Sequence, residues 1–205
     1  MNSRIGRKKY FAVTKIVGGI ILENKRVPLR EKSIVFIGFM GVGKTSIGKI
    51  VAKKLYRDFR DVDHVIEEEY GMPVSKIFEQ LGEKAFRKKE KQVVTELSKK
   101  KLLVLSLGGG SFLQEEIKQT CLDNCIVIHL DLSWDSWKDR INLIIDSRPV
   151  LKDKSLEDME ELFNSRKEIY ADHHSKVDTD SKNMEEIADY IVDSLKYAWD
   201  LYEPR

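Results

Sequence analysis

The residues best suited to chemistry form a glycine-rich turn, Gly38 to Ser46, between a short apolar run and a stretch with helical spacing. The turn has the pattern GxxxxGKT, in which glycines without a Cβ let backbone N–H groups converge on a phosphate. Lys44 can reach the β and γ phosphates, and the start of the following helix adds partial positive charge. The pattern predicts a nucleoside triphosphate site that consists of Gly41, Val42, Gly43, Lys44, Thr45 and Ser46. The Thr45 hydroxyl is the expected protein ligand for Mg²⁺.

Two carboxylates, Asp61 and Asp63, stand at the end of the next predicted strand, which is short. In an open parallel sheet, ligands lie beyond the carboxyl ends of the strands, so both side chains should face the triphosphate. One of them could hold Mg²⁺ through water, while the other accepts a hydrogen bond from the hydroxyl that becomes phosphorylated. The alternative for Asp63 is that it only caps a helix that begins at His64.

Arg87 and Glu90 are three residues apart on a predicted helix. Taken alone, this spacing indicates a solvated ion pair worth about 0.3 kcal/mol. Gly108, Gly109 and Gly110 end a later buried strand, at a cost in chain entropy. We therefore expect another backbone or a ligand to approach this triplet too closely for a Cβ, although a loose turn is also possible.

Three further arginines are candidates for binding anions. Arg140 and Arg148 bracket the end of a helical segment, and Pro149 discourages helix at Arg148. An arginine on a loop that closes over a phosphoryl group stabilises the transferring charge, but exposed arginines are also common. Arg166 lies on the apolar stripe of a predicted helix, where a guanidinium needs an anion unless its stem extends to solvent.

Strands and helices alternate along the chain. Strands are predicted over five ranges, of which the first and third are buried: 33–37, 57–63, 101–107, 125–131 and 176–179. This alternation predicts an α/β fold in which a parallel β-sheet has helices on both faces, a three-layer sandwich. A chain of 205 residues can bury one substantial core, and we expect a single domain over 33–202.

Residues 1–32 are expected to form a basic N-terminal extension. They carry nine bases and two acids, a charge of +7, which leaves −5 for the rest of a chain whose net charge is +2. A membrane-surface or partner-binding arm, a poorly ordered tail and an upstream start are all compatible with this composition. We assign the extension no chemistry.

The remaining composition excludes several classes of function. The mildly acidic body lacks the basic face of a nucleic-acid-binding protein, and no apolar run approaches the ~20 residues that span a bilayer. Cys121 and Cys125 are too few for a disulfide framework and lack the partners of a zinc site. We expect a soluble cytoplasmic monomer that binds neither nucleic acid nor membrane.

Taken in order, these motifs resemble the shikimate kinase family, from about Ile34 to Leu195. They are the phosphate loop Gly38 to Ser46, Asp61-Val62-Asp63, Phe86-Arg87 with Glu90, Gly108-Gly109-Gly110, Arg148-Pro149-Val150-Leu151, and Arg166 followed by Tyr170. The resemblance implies a P-loop fold like that of nucleoside monophosphate kinases, with a lid at about 139–155. It also implies transfer of the γ-phosphoryl group of ATP to the 3-hydroxyl of shikimate, a step towards chorismate and the aromatic amino acids.

The resemblance further implies roles for the acceptor site. Asp63 would contact the reacting hydroxyl as general base or as orienter, and Arg87 and Arg166 would bind the shikimate carboxylate. The Gly109 backbone would contact the substrate. Glu90 would steady Arg87 and help with a hydroxyl.

On the nucleotide side, the resemblance places Arg148 of the lid on the phosphates and Asp61 on Mg²⁺ through water. Arg140 and the loop 180–183 would flank adenine. The chain departs from the family at Val150, where a second leucine is usual, and in its N-terminal extension, which most members lack.

Two other functions stay open. A related P-loop kinase could act on another small acceptor, such as gluconate or a nucleoside monophosphate. A catalytically silent domain could bind nucleotide and regulate a partner, but Lys44, Asp63, Arg87, Arg148 and Arg166 are all present, which argues against it.

Overall fold

Five parallel strands form the central sheet, in the order β4-β5-β3-β6-β7. They are β3 (Ile34–Ile37), β4 (Asp58–Asp61), β5 (Leu103–Ser106), β6 (Ile126–Asp131) and β7 (Ser175–Asp178), after a short antiparallel pair, β1 (Ile16–Val17) and β2 (Ile20–Ile21). The structure is a computed structural model, and it describes residues 16–17, 20–21, 27–141, 151, 154–180 and 182–202. The predicted lid arginine, Arg148, lies outside these residues.

Helices follow the strands, as the alternation predicts. They are α1 (Lys44–Leu55), α2 (Val62–Tyr70), α3 (Val74–Ser98), α4 (Glu115–Asn124), α5 (Trp134–Arg140), α6 (Leu156–Lys167) and α7 (Met184–Tyr202). All four residues of β3 are buried, although successive side chains of a strand point to opposite faces. Both faces of the sheet are therefore covered, and the predicted three-layer α/β architecture is confirmed.

The helix boundaries correct one prediction. Strand β4 ends at Asp61, the first of the two carboxylates, and α2 begins at Val62 rather than at His64. Asp61 is the residue that caps α2, since its Oδ1 accepts hydrogen bonds from the backbone N–H groups of Asp63 (3.1 Å) and His64 (3.5 Å). The alternative in which Asp63 caps this helix is wrong.

Residues 27–32 are attached to the body of the protein. The Arg57 guanidinium donates hydrogen bonds to the carbonyls of Lys32 (2.7 Å) and Arg30 (2.5 Å). The Lys101 ammonium forms an ion pair with Glu31 (2.7 Å). The division of the chain at residue 32 stays a prediction. Among the described helices, none is both long and apolar enough to cross a membrane.

Candidate active site

The glycine-rich turn joins β3 to α1. Gly41 and Gly43 have positive φ angles of 82° and 96°, a conformation that favours glycine, and no side chain caps α1. Lys44 is only 9% exposed, and its ammonium donates to the carbonyls of Gly38 (2.8 Å) and Phe39 (2.9 Å). The local backbone therefore holds the cation beside the turn, at the start of a helix whose N–H groups can receive an anion.

An aromatic cluster supports this turn from behind. The Trp137 indole N–H donates to the carbonyl of Met40 (2.8 Å), and the fully buried Trp137 ring packs edge-on against Phe39. Its hydrogen bond to the turn had no local signal, because the two residues are 97 positions apart.

An open cleft of about 540 Å³ lies beside the turn, at the carboxyl ends of the strands. Its walls include Lys44, Thr45, Asp61, Asp63 and Gly109. The Thr45 hydroxyl donates to Asp61 Oδ2 (2.7 Å). The predicted phosphate-binding and carboxylate residues thus share one cavity.

The Thr45 and Asp61 pair fits a magnesium ion. A hydroxyl and a carboxylate are oxygen ligands of the kind Mg²⁺ prefers, and this ion usually keeps several waters and substrate phosphates as its other ligands. Within the described ranges, no three His, Cys, Asp or Glu side chains form a group that could hold a metal ion by themselves.

The glycine triplet is contacted from both sides. A Cβ added at Gly108 would lie 2.8 Å from Asp63 Oδ1, and one at Gly110 would lie 2.7 Å from Arg87 Nη2. At Gly109 it would lie 3.4 Å from the Met40 backbone nitrogen. The outer glycines are crowded by the ends of two side chains, not by another backbone or a ligand as expected, and at Gly109 the Met40 backbone lies at ordinary contact distance. This crowding argues against a loose turn.

Glu90 is fully buried, so a solvated ion pair with Arg87 is the wrong interpretation. Its carboxylate accepts hydrogen bonds from Arg87 Nη1 (2.8 Å), the Ser111 hydroxyl (2.6 Å) and the Gln114 amide (2.7 Å). Burial opposes the charge of Arg87, but the carboxylates of Glu90 and Glu83 raise its pKa overall. The network fixes the guanidinium against the glycine triplet.

Arg166 lies in the last turn of α6, and Tyr170 follows the end of this helix four positions later. The Tyr170 hydroxyl donates to the Gly109 carbonyl (2.5 Å), and burial raises the pKa of Tyr170 against the positive charge of Arg166. Nη1 of Arg166 is buried and has no hydrogen-bond partner among the described residues. A buried guanidinium nitrogen left in this way is costly unless an anion meets it. Neither Arg87 nor Arg166 lines the cleft itself; Arg87 lies against Gly110, beside Gly109 of the cleft wall.

Arg140 lies at the end of α5, near Asp180. Burial would raise the pKa of Asp180, but hydrogen bonds from the Ser133 backbone and the Ser136 and Ser133 side chains, with the charge of Arg140, lower it. Arg140 and the start of the loop 180–183 are therefore neighbours, as the resemblance implied. Their contact with adenine stays a prediction.

Ser111, Gln114 and Tyr170 hold the triplet and its neighbours, and sequence reasoning gave them no role. Ser111 follows the triplet directly and Gln114 comes three positions later, and this proximity in the chain was their available signal.

A parallel sheet of this order, with a GxxxxGKT turn between its central strand and α1 and a carboxylate beside that turn, defines a P-loop kinase. A sequence model of the shikimate kinase family matches residues 40–196. A shikimate kinase from Oceanobacillus iheyensis is 59% identical over 179 residues, which cover 87% of this chain and 98% of that protein. One from Bacillus subtilis is 57% identical over 181 residues, 88% of this chain and 97% of that protein. The chain belongs to the shikimate kinase family.

Solved structures agree with this assignment. The shikimate kinase from Acinetobacter baumannii, in complex with shikimate, superimposes with a TM-score of 0.76 at 30% identity, over 82% of this chain and 94% of that one. A gluconokinase from Sinorhizobium meliloti, at 18% identity and a TM-score of 0.52, shares the fold.

Proposed function

We propose that this protein is a shikimate kinase, which transfers the γ-phosphoryl group of ATP to the 3-hydroxyl of shikimate and gives shikimate 3-phosphate and ADP. The observation that carries the proposal is the glycine triplet, which contacts Asp63 on one side and Arg87 on the other, in the wall of the cleft that contains Lys44. A group that can accept a proton and a group that can bind a carboxylate thus lie next to the phosphate loop. The relatives named as shikimate kinases support the same substrate.

Arg87 and Arg166 are the proposed partners of the shikimate carboxylate. Shikimate is a small anion with several hydroxyls, and planar guanidinium groups can bind its carboxylate with paired hydrogen bonds. The buried, unsatisfied Nη1 of Arg166 supports this role, because a carboxylate oxygen would satisfy it. Glu90 acts through Arg87, whose guanidinium it holds, and the Gly109 backbone contacts the substrate.

Asp63 is the proposed partner of the 3-hydroxyl. The hydroxyl oxygen attacks the γ-phosphorus, the bond from this phosphorus to the bridging oxygen breaks, and its electron pair leaves on ADP. The hydroxyl proton passes to the Asp63 carboxylate if Asp63 is a general base, or leaves after transfer if Asp63 only orients the hydroxyl. Little covalent work falls to the protein, so positioning and charge stabilisation supply most of the acceleration.

The phosphate loop, Gly41 to Ser46, is the proposed ATP site. Its backbone N–H groups and the Lys44 ammonium bind the phosphates, and Arg148 of the lid also meets them. Arg140 lies at the adenine end. Bound Mg²⁺ would neutralise charge on the phosphates; Thr45 would hold it directly and Asp61 through water.

We also propose a cytoplasmic monomer, with a kinase domain over 33–202 and a lid at about 139–155. Both cysteines are buried and unpaired, which fits a reducing compartment. Sedimentation velocity of the purified protein tests the oligomeric state.

An acceptor panel tests the proposed reaction. ADP release is followed with ATP and shikimate, gluconate or AMP as acceptor, and rapid turnover is expected only with shikimate. Turnover of gluconate or AMP with none of shikimate would contradict the proposal in favour of a related kinase. Binding of ATP with no turnover of any acceptor would indicate a silent regulatory domain.

A further inference from the structure

A second cavity, here called the amino-end groove, lies at the opposite end of the sheet from the cleft. It has a volume of about 520 Å³ and lies between the first residues of β6 and β7 and the second half of α7. Its apolar wall includes Leu29, Ile126, Ile128, Val177, Leu195 and Ala198. Packed interiors contain few voids larger than a water molecule, whereas small-molecule pockets have volumes of this size.

The groove carries one cation that no carboxylate neutralises. The Lys32 ammonium donates to the backbone carbonyl of Asp123 (3.2 Å), a neutral acceptor. Among the described residues, no Asp or Glu forms an ion pair with Lys32, and none lines the groove. The acids on neighbouring residues have other partners, because Asp200 is paired with Arg30 (3.0 Å) and Glu31 with Lys101 (2.7 Å).

His174 and Trp199 also line the groove, and each ring carries one N–H donor. Nδ1 of His174 accepts a hydrogen bond from the Val127 backbone N–H (3.0 Å), so in the neutral ring the proton is on Nε2. Burial, with the charges of Lys32 and His173, lowers the pKa of His174 and keeps its ring neutral at pH 7.

Trp199 adds a donor whose hydrogen-bonding capacity is unused. Its indole nitrogen is buried and has no acceptor among the residues that the structure describes, and such orphaned donors are rare and costly. The Arg57 guanidinium lies 5.2 Å from the centre of the Trp199 ring and adds positive charge on that side.

Thiol chemistry does not explain the groove. Burial raises the pKa of the Cys125 thiol to about 12, against the charge of Lys32, so the thiolate is not available at neutral pH. The thiol donates instead to the Ser98 carbonyl (3.5 Å).

We propose that the amino-end groove is a binding site for a small apolar carboxylic acid. The body of the ligand packs against Ile128, Val177 and Leu195, and its carboxylate meets Lys32 and the Nε2 proton of His174. An acid fits better than a base or a neutral hydrocarbon, because among the described lining residues Lys32 is a cation without a carboxylate partner and there is no Asp or Glu. A single carboxylate also fits better than a phosphate dianion, since Lys32 is the one cation among the described residues that line the groove.

The test is a titration of the full chain with 4-phenylbutyrate and, as a matched neutral probe, 4-phenylbutanamide, followed by methyl NMR. The acid is expected to bind at least about tenfold more tightly than the amide, because a hydrogen bond to a charged group is lost in the amide. Both probes should shift the methyl signals of Ile126, Ile128 and Leu195. The methyls of Val74 and Leu107, which line the cleft, should not move.

Two variants and a control locate the carboxylate. Lys32→Met should abolish the preference for the acid and leave the affinity for the amide within about twofold, since the apolar wall is intact. Ala198→Trp should fill the groove and abolish binding of both probes. Lys101→Met is the matched control at the same end of the sheet, and it should retain the full preference because Lys101 does not line the groove.

Other outcomes overturn the proposal. Equal affinity for acid and amide, shifts confined to the cleft, or no binding of the acid would each do so. Contacts between the methyls of Ile20 or Ile21 and Leu195 in the free protein would make the chain's own N-terminal segment the occupant. Groove shifts that depend on protein concentration without any probe would make a second copy the occupant. None of these outcomes bears on the phosphorylation of shikimate.

Discussion

The cleft and the amino-end groove have nearly equal volumes, about 540 and 520 Å³, but their walls are built differently. The cleft lies where strands end and loops begin, and glycine backbone, carboxylates and Lys44 line it. Regular strand and helix segments form most of the groove, and its walls are largely apolar. Helix α7 takes part in both, with Met184 at the cleft and Leu195 at the groove.

The difference follows from the architecture. At the carboxyl ends of parallel strands, loops can carry polar groups without disturbing the core, so chemistry collects there. At the amino ends, the same sheet presents core side chains, and substitutions mainly affect packing. Cleft variants should therefore change activity with little loss of stability, and groove variants should do the reverse.

The largest effect is expected for Asp63→Asn in the cleft. The amide cannot accept the hydroxyl proton, so kcat should fall by about 10²-fold or more, while ATP binding and the melting temperature stay nearly unchanged. Steady-state kinetics and ATP titration measure both quantities. Equal turnover in the variant would remove Asp63 from catalysis.

On the groove side, Leu195→Ala should lower the free energy of unfolding by about 2.5 kcal/mol, because it removes a large apolar side chain that is 7% exposed. Urea unfolding measures this loss, and kcat for shikimate should match that of the parent protein. A variant with the stability of the parent protein but a reduced kcat would contradict the expectation that groove variants change stability rather than activity.

Returning to the cleft side, Arg166→Ala should raise KM for shikimate about 30-fold, or about 2 kcal/mol, because a buried charged partner of the carboxylate is lost. KM for ATP should change little, which separates substrate binding from misfolding. Lys167→Ala is a matched control, because Lys167 is also cationic and stands next to Arg166 in the chain but is exposed. An unchanged KM for shikimate in Arg166→Ala would show that the arginine serves only the fold.

The sequence predicted the phosphate loop and the alternation of strands and helices along the chain because those signals are local. GxxxxGKT is one contiguous turn, so its pattern is visible in eight consecutive residues. The glycine triplet was also recognisable, since three glycines after a buried strand demand a close neighbour.

The identity of that neighbour was not predictable from local pattern. Glu90 accepts hydrogen bonds from Ser111 and Gln114, which are 21 and 24 positions away in the chain. The i, i+3 spacing of Arg87 and Glu90 therefore could not show whether this ion pair is buried or solvated. Asp61 capped α2 where the spacing equally allowed Asp63. The amino-end groove combines segments from Leu29 to Tyr202, and no single segment carries its signature.

The smallest effect is expected for Tyr170→Phe, which tests whether the hydroxyl bound to the glycine triplet affects activity, like the cleft residues, or only stability, like the core residues. The change removes only the hydroxyl that donates to the Gly109 carbonyl at 2.5 Å, while the ring keeps its packing against His129. One hydrogen bond is worth about 1 kcal/mol, so kcat/KM for shikimate should fall about fivefold. If Gly109 positions the substrate, this loss should exceed the loss of kcat/KM for ATP that is measured under saturating shikimate.

Tyr190→Phe, on the exposed rim of the groove, is the matched control and should leave both kcat/KM values unchanged. A Tyr170→Phe protein with parent kinetics and a lowered melting temperature would place this hydroxyl with the core, because the bond would then stabilise the turn without orienting the substrate.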